Sequence, residues 1–301
     1  MNRIPENELQ ALTSGRYSSL KEIAAGGFKR VYKAVLADGS GKEALKVVEI
    51  PDGRASEAHE KYREECINRV KREVRVLEHC EGPYLVKVAG LGFLTPKVEG
   101  VSYVIYAEEF LEGKNLWDLL RDKSREKPSE DELKTLLVCL LEAIQELWDS
   151  KVIHRDIKPL NVMKLDDADR PFVLIDLGIA FSMQETALTF NALNREPMAT
   201  YRYIAPERCD PRHRASLDFR CDLYSAALTI FEYAAGQHPI AHDSDDKMKT
   251  VTRAVMQAPK KLIEVRPDLD PQFCQMIDQM LKKNPALRPA NLAGLIRKYS
   301  A

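Results

Sequence analysis

The chain has 301 residues, 45% hydrophobic and 30% charged, with 45 Lys and Arg against 46 Asp and Glu for a formal charge of −1. That length suits one large domain or two lobes, and the balanced charge argues against a general electrostatic grip on nucleic acid or an anionic membrane. Six cysteines without a C-x-x-C pair read as reduced thiols of a cytoplasmic protein, the polar start MNRIPENELQ lacks a signal-peptide core, and no apolar run approaches the ~18 residues of a membrane span.

From about residue 17 to 50 the pattern predicts three strands. Ile23 ends the first, Val31, Tyr32 and Val35 alternate on the second, and ADGSGKEALKVVEI supplies a turn and a β-branched third. The paired glycines in EIAAGGFKRVYKAV fit either a tight turn between strands or a loop that wraps phosphate. A charged stretch from Pro51 to about Arg63 leads into a helix, where Ile67, Val70, Val74 and Leu77 recur at helical spacing. YLVKVAGLGFL and VSYVIYAEEF read as two more strands and EGKNLWDLL as a short helix. After Pro128, Ser129 caps a long amphipathic helix with an acidic first turn. Apart from short strands near 161–175, the remainder is mainly helical. A strand-rich part joined to a helix-rich part near 110–115 predicts two lobes with a cleft, a favoured place for ligands.

The chemistry is densest in VIHRDIKPLNV. Asp156 can accept a hydroxyl proton, Lys158 can neutralise charge on a transferred phosphoryl group, and Asn161 can ligate a cation through its amide oxygen. Fifteen residues past Asn161, LIDLGIA places Asp176 at the end of a hydrophobic strand, where a carboxylate can hold a hard cation.

In this order the motifs resemble those of eukaryotic-like (Hanks-type) Ser/Thr protein kinases, over roughly residues 17–299. The resemblance implies an α+β, bilobal fold. It has an N-terminal extension over 1–16, an N-lobe over 17–110 with a five-stranded antiparallel sheet plus a helix, and a mainly helical C-lobe over 111–301. It further implies transfer of the ATP γ-phosphoryl group to protein hydroxyls, autophosphorylation included, with Asp156 and Lys158 catalytic and Asn161 and Asp176 holding Mg²⁺, or Mn²⁺ in its place. EALKVV resembles the third-strand lysine motif, so that Lys46 would meet the α- and β-phosphates and Ala44 would line the adenine pocket. The helix partner of Lys46, counted back from PYLV, is Glu73. ATYRYIAPE resembles the end of an activation segment, with Thr200 bonded to Asp156 and Lys158. Asp222 of CDLYSAA would brace the catalytic loop, and Arg288 of LKKNPALRP would pair with Glu207.

Three departures stand out. Val31 fixes the register of the first loop, so Ala24, Gly26 and Lys29 occupy the positions of the family's three glycines and Gly27 adds a flexible neighbour. These residues would cover the phosphates, and Lys29 either adds charge there or projects into water. In YAEEFLEG, aligning Glu109 and Leu111 with the hinge that holds adenine puts Glu108 at a normally apolar position. Either Glu108 finds a partner, or the register slips and Ala107 stands there. In the first register Asn115 would reach the ribose and Met163 would floor the base. Glu196 is positioned to mimic a loop phosphate opposite Arg155, and Ser182, Thr186 and Thr189 are candidate autophosphorylation sites. The degenerate loop also admits a second reading, a pseudokinase acting as an ATP-binding scaffold. Protein substrates and oligomeric state are not legible in the sequence.

Overall fold

Alternating apolar residues and a run of hairpin turns build a sheet from the first third of the chain. The computed structural model describes residues 4–26, 29–50, 57–177, 201–209 and 217–300. Strands β1 (Tyr17–Ala25), β2 (Lys29–Leu36), β3 (Lys42–Ile50), β4 (Lys97–Val98) and β5 (Val101–Glu109) form one five-stranded sheet in the order β1-β2-β3-β5-β4. Every pairing in it is antiparallel.

Period-two alternation divides β3 and β5 between two cores. Leu45, Val47, Tyr103, Ile105 and Ala107 pack with Leu9 of helix α1 (Glu6–Leu12). Val48, Ile50, Val104 and Tyr106 pack with Cys66, Val70 and Val74 of helix α2 (Glu57–His79). Those three α2 positions are one face at helical spacing, so the helix lies on the sheet through the stripe its sequence carries. α2 also begins inside the charged stretch, because polar side chains prolong a helix that packing has nucleated.

Two expectations need correction. β1 continues past Ile23 to Ala25, since backbone pairing of Ala24 with Val31 and Ala25 with Arg30 carries the hairpin on while Ile23 itself is exposed. YLVKVAGLGFL is not a continuous strand. It touches its neighbours through isolated bridges of Leu85 with Leu174, Val88 with Glu108 and Leu94 with Ile105. Gly92, at φ +72°, turns the chain between the last two, and the remaining strand of the sheet is β4.

The described residues fall into two compact units. The first holds those up to His79 and Val86–Leu111; the second holds Cys80–Leu85, Glu112–Leu177 and those from 201 onward. In the second unit β6 (Gly113–Asn115), β7 (Val162–Leu165) and β8 (Phe172–Leu174) make a small antiparallel sheet. Gly113 is required there, because a Cβ would lie 2.3 Å from the Lys164 carbonyl oxygen. Around it lie α3 (Leu116–Arg121), α4 (Glu130–Asp149), α5 (Arg220–Ala235), α6 (Lys247–Met256), α7 (Leu262–Val265), α8 (Pro271–Met280) and α9 (Leu292–Tyr299).

Ser129 caps α4 as its sequence predicts, accepting the Glu132 N–H at 3.2 Å, and Leu133, Leu136, Leu137, Leu140, Leu141, Ile144 and Leu147 of that helix are buried. α5 is buried all round, so any polar side chain on it must find a partner inside. Among the described residues, no helix is long and apolar enough to cross a membrane.

Candidate active site

In the first unit the ladder decides which side chains share a face. Val31 of β2 and Tyr106 of β5 pair with Lys46, while Lys33 and Glu108 pair with Ala44. Directly paired residues point to one side of a sheet. Ala24 (opposite Val31), Val31, Ala44, Lys46 and Glu108 therefore lie on one face, whereas Ala107 packs into the core on the other. Of the two registers open in the sequence, the strand thus turns Glu108 toward Lys46, and Glu108 does find a partner. Lys46 Nζ lies 2.9 Å from its carboxylate, with both side chains almost wholly buried.

Nearby, the Glu109 N–H donates to the Lys87 carbonyl and its carboxylate accepts the Lys87 N–H, both at 2.9 Å, which pins the chain just before Leu111. The Gly26 N–H donates to the Lys29 carbonyl at 2.8 Å, closing the β1–β2 hairpin. Gly27 and the Glu73 side chain lie outside the described residues, although position 73 is within α2.

The second unit holds the densest polar cluster. Lys158 Nζ meets both Asp156 carboxylate oxygens, at 2.9 and 2.8 Å. Asn161 closes a 3-10 turn that Pro159 opens, and its amide NH₂ donates to the Asp156 carbonyl at 2.8 Å and to its carboxylate at 2.9 Å. With both amide hydrogens committed to Asp156, the amide oxygen is what Asn161 presents on its other side. The Asn161 carbonyl accepts the Ile175 N–H at 2.9 Å, tying this turn to the residue before Asp176. Arg155 (φ +68°) and Asp176 (φ +59°) both adopt left-handed backbone, uncommon without glycine and concentrated at functional sites.

Asp222 of α5 braces the loop, its carboxylate accepting the backbone N–H of His154 at 2.7 Å and of Arg155 at 2.9 Å. Arg208 adds a further tie, donating to the Arg155 carbonyl. Arg288 meets Glu207 through two bonds of 2.6 and 2.8 Å. Met163 sits on β7 opposite Asn115 of β6. Asn115 caps α3, its amide oxygen accepting the Asp118 N–H and its NH₂ donating to the Asp118 carboxylate, each at 2.8 Å.

Thr200, Glu196, Ser182, Thr186 and Thr189 lie outside the described residues. One cluster escaped sequence reading. The Tyr203 hydroxyl donates to Glu232 of α5, and Arg202 bridges Glu232 at 3.5 Å and Asp243 at 2.9 Å. The signal was available, since Glu232 is a lone carboxylate in the apolar run ALTIFEYAA.

Burial also sets the acid response. It pushes His154 and His238 down from 6.5 to about 3, outweighing the pull of the Asp176 carboxylate on His154, and pushes Asp222 up from 3.8 to about 6. Below about pH 6.5 the unfolded histidines take up protons that the folded ones refuse, so stability falls as pH drops. Asp222 acts oppositely, because its folded carboxyl binds a proton that the unfolded one releases. Between pH 7 and 5 each histidine costs about 2 kcal/mol and Asp222 returns about 1 kcal/mol. The urea midpoint is expected to be clearly lower at pH 5 than at pH 7; equal midpoints would contradict the buried, neutral state of both rings.

Comparison with known proteins agrees with this geometry. The protein kinase domain family matches residues 17–299. A probable serine/threonine-protein kinase of Clostridium perfringens is 26% identical over 280 residues, 92% of this chain and 37% of its own length. One of Bifidobacterium longum is 26% identical over 298 residues, 98% of this chain and 36% of its own. The chain thus spans little more than a third of these relatives. Among solved structures, the Mycobacterium tuberculosis PknI kinase domain superposes with a TM-score of 0.61 at 20% identity, over 94% of this chain and 96% of that one. Rad53 1–466 in complex with AMP-PNP does so with a TM-score of 0.69 at 20% identity, over 96% and 66%. A sheet-bearing unit with a buried strand lysine, a helical unit with a braced Asp-x-Lys-x-x-Asn loop, and a match over nearly every residue lead to one conclusion: the chain belongs to the protein kinase domain family.

Proposed function

We propose that the chain is an ATP-dependent Ser/Thr protein kinase that transfers the γ-phosphoryl group to protein hydroxyls, its own included. The observation that carries this reading is the Asp156–Lys158–Asn161 cluster, in which one carboxylate is aimed by an ammonium and an amide. Asp156 takes the proton of the attacking hydroxyl, and Lys158 balances charge on the phosphoryl group as it moves. Lys46 binds the α- and β-phosphates, with Glu73 as its helix partner. Ala24, Gly26 and Gly27 cover the phosphates. Val31, Ala44 and Met163 enclose the adenine, the Glu109 carbonyl and Leu111 backbone hold its edge, and Asn115, at the start of α3, contacts the ribose.

The donor set fits a hard divalent cation, Mg²⁺ or alternatively Mn²⁺. Asp176 offers a carboxylate and Asn161 an oxygen whose orientation is fixed, and such cations take most of their remaining ligands from phosphate and water. Bound there, the cation would neutralise phosphate charge. The described cysteines are free thiols, which supports a cytoplasmic location.

Purified protein incubated with γ-labelled ATP and Mg²⁺ is expected to label itself or a generic acceptor such as casein on Ser or Thr. The Asp176→Asn variant is expected to label neither. Tight ATP binding with no label above that control would overturn the assignment in favour of a scaffold.

A further inference from the structure

We propose that Glu108 is a positioning residue for Lys46, fixing its ammonium where the phosphates of a nucleotide arrive; the inference rests on the kinase reading above. Glu108 stands two pairs along the ladder from Lys46, on the same face, and the two side chains close the diagonal at 2.9 Å with 2% and 3% of their surface exposed. Its backbone cannot drift. β5 is held on one edge by β3 and on the other by bonds of 2.9 Å from the Ala89 N–H to the Ala107 carbonyl and from the Glu109 N–H to the Lys87 carbonyl.

Lysine is a flexible four-carbon stem ending in a compact charge with three donors. With its charge less firmly held at a buried position, the ammonium gains conformational freedom, and an arriving nucleotide must then order it again. A carboxylate anchored in the adjoining strand, 2.9 Å from the ammonium, limits that freedom. Because Glu108 acts through Lys46, and Lys46 meets phosphate, its contribution is confined to ligands that carry phosphate. A residue that merely shaped the pocket would affect adenosine and ADP alike.

Calorimetric titration of the purified chain with adenosine and with ADP in Mg²⁺ tests this. Glu108→Gln is expected to weaken ADP by about tenfold while adenosine changes less than about twofold. Equal weakening of both ligands, or ADP binding unchanged or tighter, would overturn the proposal. A second measurement needs no nucleotide. Lys46→Met and Glu108→Leu each remove one half of a buried ion pair, so the double variant is expected to lose less in melting temperature than the sum of the two single losses. Strictly additive melting shifts would refute the pairing even if nucleotide binding were lost. A wild-type chain that binds ADP no better than adenosine would refute the kinase reading itself, while the melting cycle still decides the pair.

Discussion

The Asp156→Ala protein is expected to fold, to bind ADP like the wild type, and to transfer phosphate roughly 10³- to 10⁴-fold more slowly, the span for loss of a positioned base together with its hydrogen-bonded environment. Folding survives because Asp156 is a loop residue with an 18% exposed side chain, and because the Asp156 backbone carbonyl still accepts the Asn161 amide at 2.8 Å. Asp222 continues to hold the His154 and Arg155 amides. Nucleotide affinity survives because the groups assigned to the adenine and phosphates are elsewhere in the chain. Asp156→Asn separates chemistry from shape. It preserves volume and an acceptor for Lys158 yet cannot take up the hydroxyl proton, so its rate is expected to match that of the alanine variant. Single-turnover transfer from labelled ATP is the measurement. An Asn variant within tenfold of wild type would mean that Asp156 orients the site without acting as its base.

Legibility in the sequence followed how local the determinants were. Asp156, Lys158 and Asn161 occupy six consecutive residues, and their mutual bonds follow once the loop is held, so spacing alone identified them. The braces lie far away in sequence, and Asp222 and Arg288 were legible only through the resemblance of CDLYSAA and LKKNPALRP to the family's motifs. The segment 84–94 was misread because its apolar composition matches a strand, while its glycines permit only scattered bridges. Glu108 was recognised as anomalous, but naming its partner required the antiparallel register, which sets Ala44 opposite Glu108 and so brings Lys46 onto its diagonal. Tyr203, Arg202 and Glu232 meet across about thirty residues through a buried helix, and no local pattern encodes that meeting. Arg208 was equally silent. An arginine after a glutamate gives no hint that its guanidinium reaches the Arg155 carbonyl.

Arg288→Ala is expected to cost about 3–5 kcal/mol of stability, a large fraction of the roughly 5–15 kcal/mol that holds most domains folded. The side chain is fully buried against a Glu207 that is 8% exposed. Beyond the two bonds to Glu207, it donates to the carbonyls of Lys282 at 2.8 Å, Arg220 at 2.8 Å and Lys283 at 3.1 Å. Its guanidinium also lies 4.7 Å from the centre of the Tyr224 ring. Truncation therefore strands a carboxylate and three carbonyls together. Arg288→Lys keeps the charge but not the planar fork that reaches several acceptors at once, so it recovers only part of the loss. Arg288→Met combined with Glu207→Gln, which removes both charges, is expected to be more stable than Arg288→Ala. The loss also reaches the chemistry. Glu207 and Arg208 share one 3-10 turn, and Arg208 holds the Arg155 carbonyl beside Asp156. Freed from Arg288, that turn releases the catalytic loop, so phosphoryl transfer by the folded fraction of Arg288→Lys is expected to fall while ADP affinity holds. Urea unfolding and single-turnover transfer measure the two effects. A stability loss below about 1 kcal/mol would show the pair to be no stronger than one on the surface.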